Sequence, residues 1–355
     1  MKVLIATGGS GGHIFPALQL AQQMRQRGHQ VLFAGVLGLA EDKILSSGFD
    51  LINIDAKGFS SKSIGSMFQF VYVTMKALGH AAHIVRGYKP DKVIGFGGYG
   101  SFPVIFASWM LKYPTMIHEQ NVIPGKVNKL MGLLVKRIAI SFKESLPFVN
   151  AAKAVWTGCP CHNELSAKDP AVILSQFGLS PTRRTLLLVG GSQGSQRLNT
   201  VVFEAMPLLV NEGWQLIHMT GLKEYELYVK SYRPTGWPVS VCAFISNIDE
   251  AYAVADVIVA RAGASTISEL GSLGLKSILV PYPFAGNHQE HNALVLTRTQ
   301  TAVMIRQHEL TAYELIKAAG ALMERFPHRG DVSRLTREVI VADADIKLAD
   351  ALEQL

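Results

Sequence analysis

Val3-Leu4-Ile5-Ala6-Thr7-Gly8-Gly9-Ser10-Gly11-Gly12-His13 is an apolar run that breaks into glycines and then opens a helical pattern. The same order recurs in the other half of the chain, where Leu186-Leu187-Leu188-Val189 runs into Gly190-Gly191-Ser192-Gln193-Gly194. Glycines let a backbone approach a ligand closely, and the helix start behind them offers unpaired N–H groups and the positive end of a dipole. Two such junctions, one per half, predict two α/β domains and a cleft between them that holds something phosphorylated.

Outward from these junctions, short apolar runs rich in β-branched residues alternate with helical patterns, which argues for parallel sheets with helical crossovers. The first half offers strands at 3–7, 30–34, 51–54, 92–96, 115–118 and 137–140. The second offers 185–189, 215–219, 239–244, 257–260, 277–280 and 302–305. Six strands on either side of Pro160 predict two similar doubly wound sheets, with ligands outside the carboxyl ends of the strands. Trp156-Thr157-Gly158-Cys159-Pro160-Cys161 reads as the linker. The expected division is 1–158 and 159–336. The remaining 337–355 reads as helical and able to dock on either domain, with the first as the expectation.

A chain of 355 residues is long enough for two ordinary cores, and 48% hydrophobic with 17% charged residues excludes a disordered protein. Three cysteines form no disulfide framework and fit a reducing compartment. No apolar run reaches the length of a spanning helix, and the stretch at Met1 is too short for a signal peptide. Charge divides unevenly, since 17 of the 34 basic but only 7 of the 27 acidic residues precede Cys161. Within that basic half, apolar runs sit beside cations: 67–73 before Lys76, 102–111 before Lys112, and 130–135 before Lys136-Arg137. Taken singly, each reads first as a core helix with solvated lysines. Together they also fit attachment to an anionic membrane surface. No dense basic run or aromatic-basic module points to nucleic acid.

The motifs narrow the chemistry. A nicotinamide or flavin site is disfavoured because Ile14 occupies the last glycine position of the dinucleotide template, and the second strand ends in Ala34-Gly35 without an acidic residue. The stretch Asp256 to Glu269 is a buried strand, a small-residue turn and a helix start marked by Ser265 and Thr266. Glu269 stands three residues after Thr266, a capping-box spacing, so it either bonds a backbone N–H or accepts both hydroxyls of a ribose. The polar loop from Pro281 to Ala293 is able to hold sugar hydroxyls or phosphate, or to be an ordinary connection. Cys159-Pro160-Cys161-His162 has no second ligand pair at finger spacing, which argues against zinc. Asp343-Ala344-Asp345, the only Asp-x-Asp, lies far from the glycine turns and reads as a solvated helix face.

The glycine turns, Gly95-Phe96-Gly97-Gly98-Tyr99, His118-Glu119-Gln120-Asn121, Arg261 to Glu269, and His288-Gln289 with Asn292-Ala293 occur together and in order. That set resembles the MurG family of glycosyltransferase family 28, from Met1 to about Ala293. The resemblance implies the α/β GT-B fold, two Rossmann-like domains with the nucleotide sugar mostly on the second. It implies inverting transfer of N-acetylglucosamine from UDP-N-acetylglucosamine to the C4 hydroxyl of the N-acetylmuramoyl unit of lipid I, giving lipid II. Donor contacts are implied at Ser10, Gly11, Gly12, Asn121, Ser192, Ile245, Ala264, Ser265, Thr266, Ile267, Ser268, Glu269 and Gln289, with Ile245 meeting uracil and Glu269 the ribose. Gly97, Gly98 and Tyr99, with the first glycine turn, would frame the lipid diphosphate. No cofactor or metal is implied. The implied setting is the cytoplasmic face of the membrane, with a cell-wall synthesis complex as a further partner.

The chain departs from the family at two places. Cys159-Pro160-Cys161-His162 replaces the usual Asn-Pro-x-Arg, leaving His162, without a guanidinium fork, as the residue near the nucleotide. Ser246-Asn247 stand where acidic residues are common. Direct displacement at the anomeric carbon needs a base for the acceptor hydroxyl. His13 is the first candidate, although a helix start lowers its pKa; its other role is to hydrogen-bond acceptor or phosphate without proton transfer. Glu119 is the second candidate, against the alternative that it orients Asn121 and its loop. Two other functions stay open on this fold: a UDP-sugar 2-epimerase or soluble-acceptor transferase, and a nucleotide-sugar-binding protein without catalysis.

Overall fold

The computed structural model describes residues 1–9, 11–54, 64–191, 194–284, 286–328 and 331–355, excluding the side chains of 39 and 64–70. It divides into two compact units, Met1–Cys161 with Asp343–Leu355, and His162–Ala342.

The first unit is built on a seven-stranded sheet. Its strands are β1 (Lys2–Gly8), β2 (Gln30–Val36), β3 (Asp50–Asn53), β4 (Lys92–Gly95), β5 (Thr115–Glu119), β6 (Arg137–Ile140) and β7 (Ala154–Trp156). All pairs are parallel, in the order β3-β2-β1-β4-β5-β6-β7. Val3, Leu4, Ile5 and Ala6 are fully buried, as a central strand covered by helices on both faces requires. Six of these strands fall where the apolar runs predict them. The seventh was not foreseen: Ala154–Trp156 pairs with Ile138–Ile140, so Trp156 belongs to the sheet and not to the linker. Three half-buried edge residues are too few for alternation to register.

The second unit holds the six expected strands, β8 (Arg184–Val189), β9 (Trp214–Met219), β10 (Val239–Cys242), β11 (Val257–Ala260), β12 (Ser277–Leu279) and β13 (Ala302–Met304). They are parallel in the order β10-β9-β8-β11-β12-β13. Each sheet reverses its winding once, between β1 and β4 in the first unit and between β8 and β11 in the second. Helical crossovers leave a crevice at such a reversal, at the carboxyl ends of the strands. All four strand ends that border the two crevices carry the motif turns.

The helix Ala344–Glu353 packs on the helix Gly11–Gln26 of the first unit. Leu348, Ala349, Leu352 and Leu355 join the cluster of Ala17, Leu20, Ala21 and Met24. At its rim Arg27 Nη1 donates to Asp350 at 2.7 Å and Glu353 at 3.0 Å, while His29 Nε2 lies 2.8 Å from Glu353. Exposed ion pairs contribute at most about 1 kcal/mol each, whereas burying one leucine contributes about 2 kcal/mol. The apolar face therefore dominates the docking.

Candidate functional site

In the first unit, β1 delivers Gly8 and Gly9 to the crevice and the helix Gly11–Gln26 follows, with Gly11 and Gly12 exposed and His13 in its first turn. β4 delivers the second turn. A Cβ on Gly8 would meet Gly97 and Gly98, so the two glycine turns lie against each other. Gly98 has φ +75°, and a Cβ there would stand 3.2 Å from His13 Cδ2. Glycine thus serves two needs at one position, a left-handed backbone and room for the imidazole. Tyr99 beside it is 53% exposed.

β5 supplies the residues behind His13. His13 Nδ1 lies 3.2 Å from Gln120 Oε1, and Gln120 Nε2 donates to the Phe96 carbonyl at 3.0 Å. The same amide nitrogen lies 3.1 Å from His118 Nδ1 and 3.2 Å from the His118 carbonyl. His118 Nε2 lies 2.9 Å from the Gly158 carbonyl. Desolvation lowers the His13 pKa, offset in part by the bonds to Gln120 and the Phe96 carbonyl. Burial pushes His118 down to about 4, against the opposing Gly158 bond and with a further lowering from His13.

Glu119 is 1% exposed, and its carboxylate is surrounded by donors. Oε1 accepts from the Asn121 N–H at 2.8 Å and from Asn121 Nδ2 at 3.4 Å, and Oε2 from the Gly125 N–H at 3.0 Å and Asn128 Nδ2 at 2.8 Å. Desolvation raises its pKa and those four bonds oppose the rise. The arrangement is that of a carboxylate that shapes the 120–125 loop and holds Asn121.

In the second unit, β11 ends at Ala260 and the helix Ala264–Ser272 begins after a turn of Arg261, Ala262 and Gly263, with extended Gly263 as its N-cap and no side-chain cap. The capping-box alternative for Glu269 fails here. Thr266 is already inside the first turn, so Glu269 does not reach back to a cap. Its Oε2 instead accepts from the Tyr252 hydroxyl at 3.2 Å. Burial raises the Glu269 pKa to about 7, against the Tyr252 bond. With no capping side chain, first-turn N–H groups stay available to an anion. Among the described residues the buried Ser265 hydroxyl has no hydrogen-bond partner. Ala264, Ile267 and Ser268 are buried, and Thr266 is partly exposed.

Arg261 ties the strand ends together. Nη2 donates to Ser195 Oγ at 2.7 Å and Gln307 Oε1 at 2.6 Å, and Nη1 to the Val280 and Pro281 carbonyls at 3.1 and 3.3 Å. Ser195 is the N-cap of the helix Gln196–Asn211 that follows β8. Gly194 has φ +75° and would place a Cβ 2.1 Å from the Thr220 carbonyl, so this turn admits no other residue. Gln289 Oε1 accepts from the Tyr282 N–H at 2.9 Å, and buried Asn292 donates to the Ala262 carbonyl at 3.2 Å. Ile245 is buried after β10, while Phe244, Ser246 and Asn247 are exposed. His162 opens the second unit, and its buried Nε2 has no partner among the described residues. Ser10 and Ser192 lie outside the described residues. Cys159 is buried and Cys161 is half-buried; among the described residues no group of three His, Cys, Asp or Glu is placed to hold a metal.

The geometry thus gathers Gly11, Gly12, His13, Gly97, Gly98, Gln120 and Asn121 at one crevice, and Ala264 to Glu269 with Tyr252 and Arg261 at the other. Three contributors went unassigned in the sequence. Gln120 and Arg261 lay inside quoted motifs without a role; Tyr252, in a helix upstream of β11, gave no signal.

Two Rossmann-ordered sheets with glycine junctions at both winding reversals, and an uncapped helix start whose helix carries the Glu269 carboxylate, define the GT-B class of nucleotide-sugar glycosyltransferases. The chain belongs to glycosyltransferase family 28: the family's N-terminal domain matches residues 3–140 and its C-terminal domain residues 185–329. It is 35% identical over 331 residues to a UDP-N-acetylglucosamine–N-acetylmuramyl-(pentapeptide) pyrophosphoryl-undecaprenol N-acetylglucosamine transferase of Thermodesulfovibrio yellowstonii, covering 92% of this chain and 90% of that one. The crystal structure of Acinetobacter baumannii MurG superposes with a TM-score of 0.79 at 27% identity, over 100% of this chain and 99% of that one. The structure of a "putative UDP-N-acetylglucosamine 2-epimerase" from Listeria monocytogenes reaches 0.71 at 13% identity, covering 99% of this chain and 96% of that one, which is a likeness of fold alone.

Proposed function

We propose that this glycosyltransferase moves N-acetylglucosamine from UDP-N-acetylglucosamine to the C4 hydroxyl of the N-acetylmuramoyl unit of lipid I, with inversion, giving lipid II. The observation that carries the reading is the match, at 35% identity over nearly all of both chains, to a transferase of that description. In the reaction the acceptor oxygen bonds to the anomeric carbon as the bond to UDP breaks. The hydroxyl proton passes to His13, and the electron pair leaves on the UDP diphosphate. The uncapped helix start at Ala264, with the Ser265 hydroxyl, stabilises that charge without a metal. Glu269 accepts the ribose hydroxyls, Ile245 meets uracil, and Asn121, His162 and Gln289 complete the donor contacts. The turn at Gly97, Gly98 and Tyr99 receives the acceptor diphosphate.

A lipid acceptor also accounts for the surface of the first unit. The helix Phe102–Met110 packs between the helices Ile64–Tyr88 and Lys126–Leu134. Val71, Tyr72, Met75, Met110, Leu130 and Leu133 are all more than half exposed, with Lys76, Lys112, Lys129 and Lys136 exposed beside them. No helix among the described residues is long and apolar enough to cross a membrane. Apolar side chains in the headgroup layer, with lysines toward anionic lipid, hold a protein peripherally on the cytoplasmic face. Purified protein with radiolabelled UDP-N-acetylglucosamine tests the reading. Label entering lipid only when lipid I is supplied, with EDTA present, supports it. Turnover without lipid I, or donor binding with no turnover, defeats it.

A further inference from the structure

We infer that Gln120 is a positioning residue that fixes the tautomer of His13 and so presents a bare Nε2 to the acceptor hydroxyl. The inference rests on His13 being the base of the proposed reaction. It follows from which atoms are able to donate. Gln120 Nε2 faces two carbonyl oxygens, of Phe96 at 3.0 Å and His118 at 3.2 Å, and carbonyls only accept. The amide is therefore held one way round, with Oε1 toward His13 Nδ1 at 3.2 Å. That oxygen accepts, so Nδ1 carries the proton. A neutral imidazole carries one, and Nε2 is left with its lone pair.

The support behind Gln120 is equally one-sided. His118 Nε2 faces the Gly158 carbonyl at 2.9 Å and must donate to it, so His118 Nδ1 is the acceptor that receives the Gln120 amide at 3.1 Å. Gln120 and His118 are 2% and 0% exposed, so water does not offer an alternative set of partners. Free neutral histidine in water favours the opposite tautomer, with the proton on Nε2. Without Gln120 the lone pair of His13 would turn inward, away from any acceptor. Held in the wrong tautomer, a catalytic histidine loses its function even when its position is unchanged.

Imidazole nitrogen NMR on the full-length chain, labelled in histidine with ¹⁵N and assigned by the signal lost in His13→Ala, tests the inference directly. In the unsubstituted protein near pH 8, His13 should show a protonated Nδ1 and a bare Nε2; the reverse overturns the inference whatever the variants do. The isosteric Gln120→Met should move His13 toward the Nε2-protonated form and lower kcat roughly 10²-fold, with KM for UDP-N-acetylglucosamine within about two-fold. In the double variant with His13→Ala, turnover should fall no further than in His13→Ala alone. A wild-type kcat in Gln120→Met, a parallel rise in KM, or losses that multiply in the double variant would each overturn it. Undiminished turnover in His13→Ala would instead remove His13 as the base, leaving the tautomer signal as a separate fact.

Discussion

The hydroxyl of Tyr252 donates to Glu269 Oε2 at 3.2 Å across 17 residues of chain. A buried carboxylate with one neutral donor is poorly solvated, which is why burial lifts its pKa to about 7. Because the folded pKa lies above the unfolded one, stability from this group is present at low pH and declines as pH rises from about 4.5 to about 7. Ribose hydroxyls need the ionised form. UDP should therefore bind more tightly as pH rises from 6 to 8, as isothermal titration calorimetry would record. Glu269→Gln should flatten that dependence and weaken binding at pH 8 by about 1–3 kcal/mol. Unliganded, the same variant should melt above the parent at pH 8. A parent whose UDP affinity is flat from pH 6 to 8 would contradict the assignment.

His13 titrates on a different axis. Its pKa lies below the ordinary 6.5, and a base works only when neutral. At saturating donor, kcat should be level above about pH 7 and fall tenfold per unit at lower pH, while His13→Ala should lower the plateau by about 10²–10⁴-fold with little change in donor affinity. A stopped assay across pH 5 to 9 measures both.

Arg261 holds four acceptors on three chain segments. Arg261→Ala strands them, and should lower stability by about 2–4 kcal/mol and weaken UDP binding. Arg261→Lys should recover little, since an ammonium does not reproduce the fork. Urea unfolding of both variants would show it.

Leu130 and Leu133 are 52% and 71% exposed on one face of their helix. If that face enters a headgroup layer, Leu130→Gln with Leu133→Gln should weaken sedimentation with phosphatidylglycerol vesicles by about tenfold or more while turnover on detergent-solubilised acceptor is kept. Binding of the parent should also fall with salt. Equal binding by parent and variant would assign the face to another role.

For the docked helix, the apolar contact outweighs the charges. Leu352→Ala should cost about 2–4 kcal/mol in the first unit, and Arg27→Ala about 1 kcal/mol or less. Chemical denaturation compares the two.

Strands and junctions were legible because buried parallel strands write themselves as continuous apolar runs, and because a glycine such as Gly194 is forced by a carbonyl 2.1 Å from its missing Cβ. Ala154–Trp156 was not, since an edge strand of three residues carries no period. The helix start at Ala264 was displaced in the reading because Ser265 and Thr266 look like caps, whereas the extended Gly263 takes that place. Gln120 was visible as a letter of a motif, but its work depends on Phe96, His118 and Gly158, which only the sheet brings to it. Tyr252 meets Glu269 from another helix, and no spacing rule links the two.

The docked helix Ala344–Glu353 also sets an order of events at the ribosome. Residues 162–342 form an unbroken stretch that leaves the ribosome ahead of that helix, so the second unit is free to complete itself first. The first unit, begun earlier, must wait with Ala17, Ala21 and Met24 uncovered until Leu348 and Leu352 arrive to close over them.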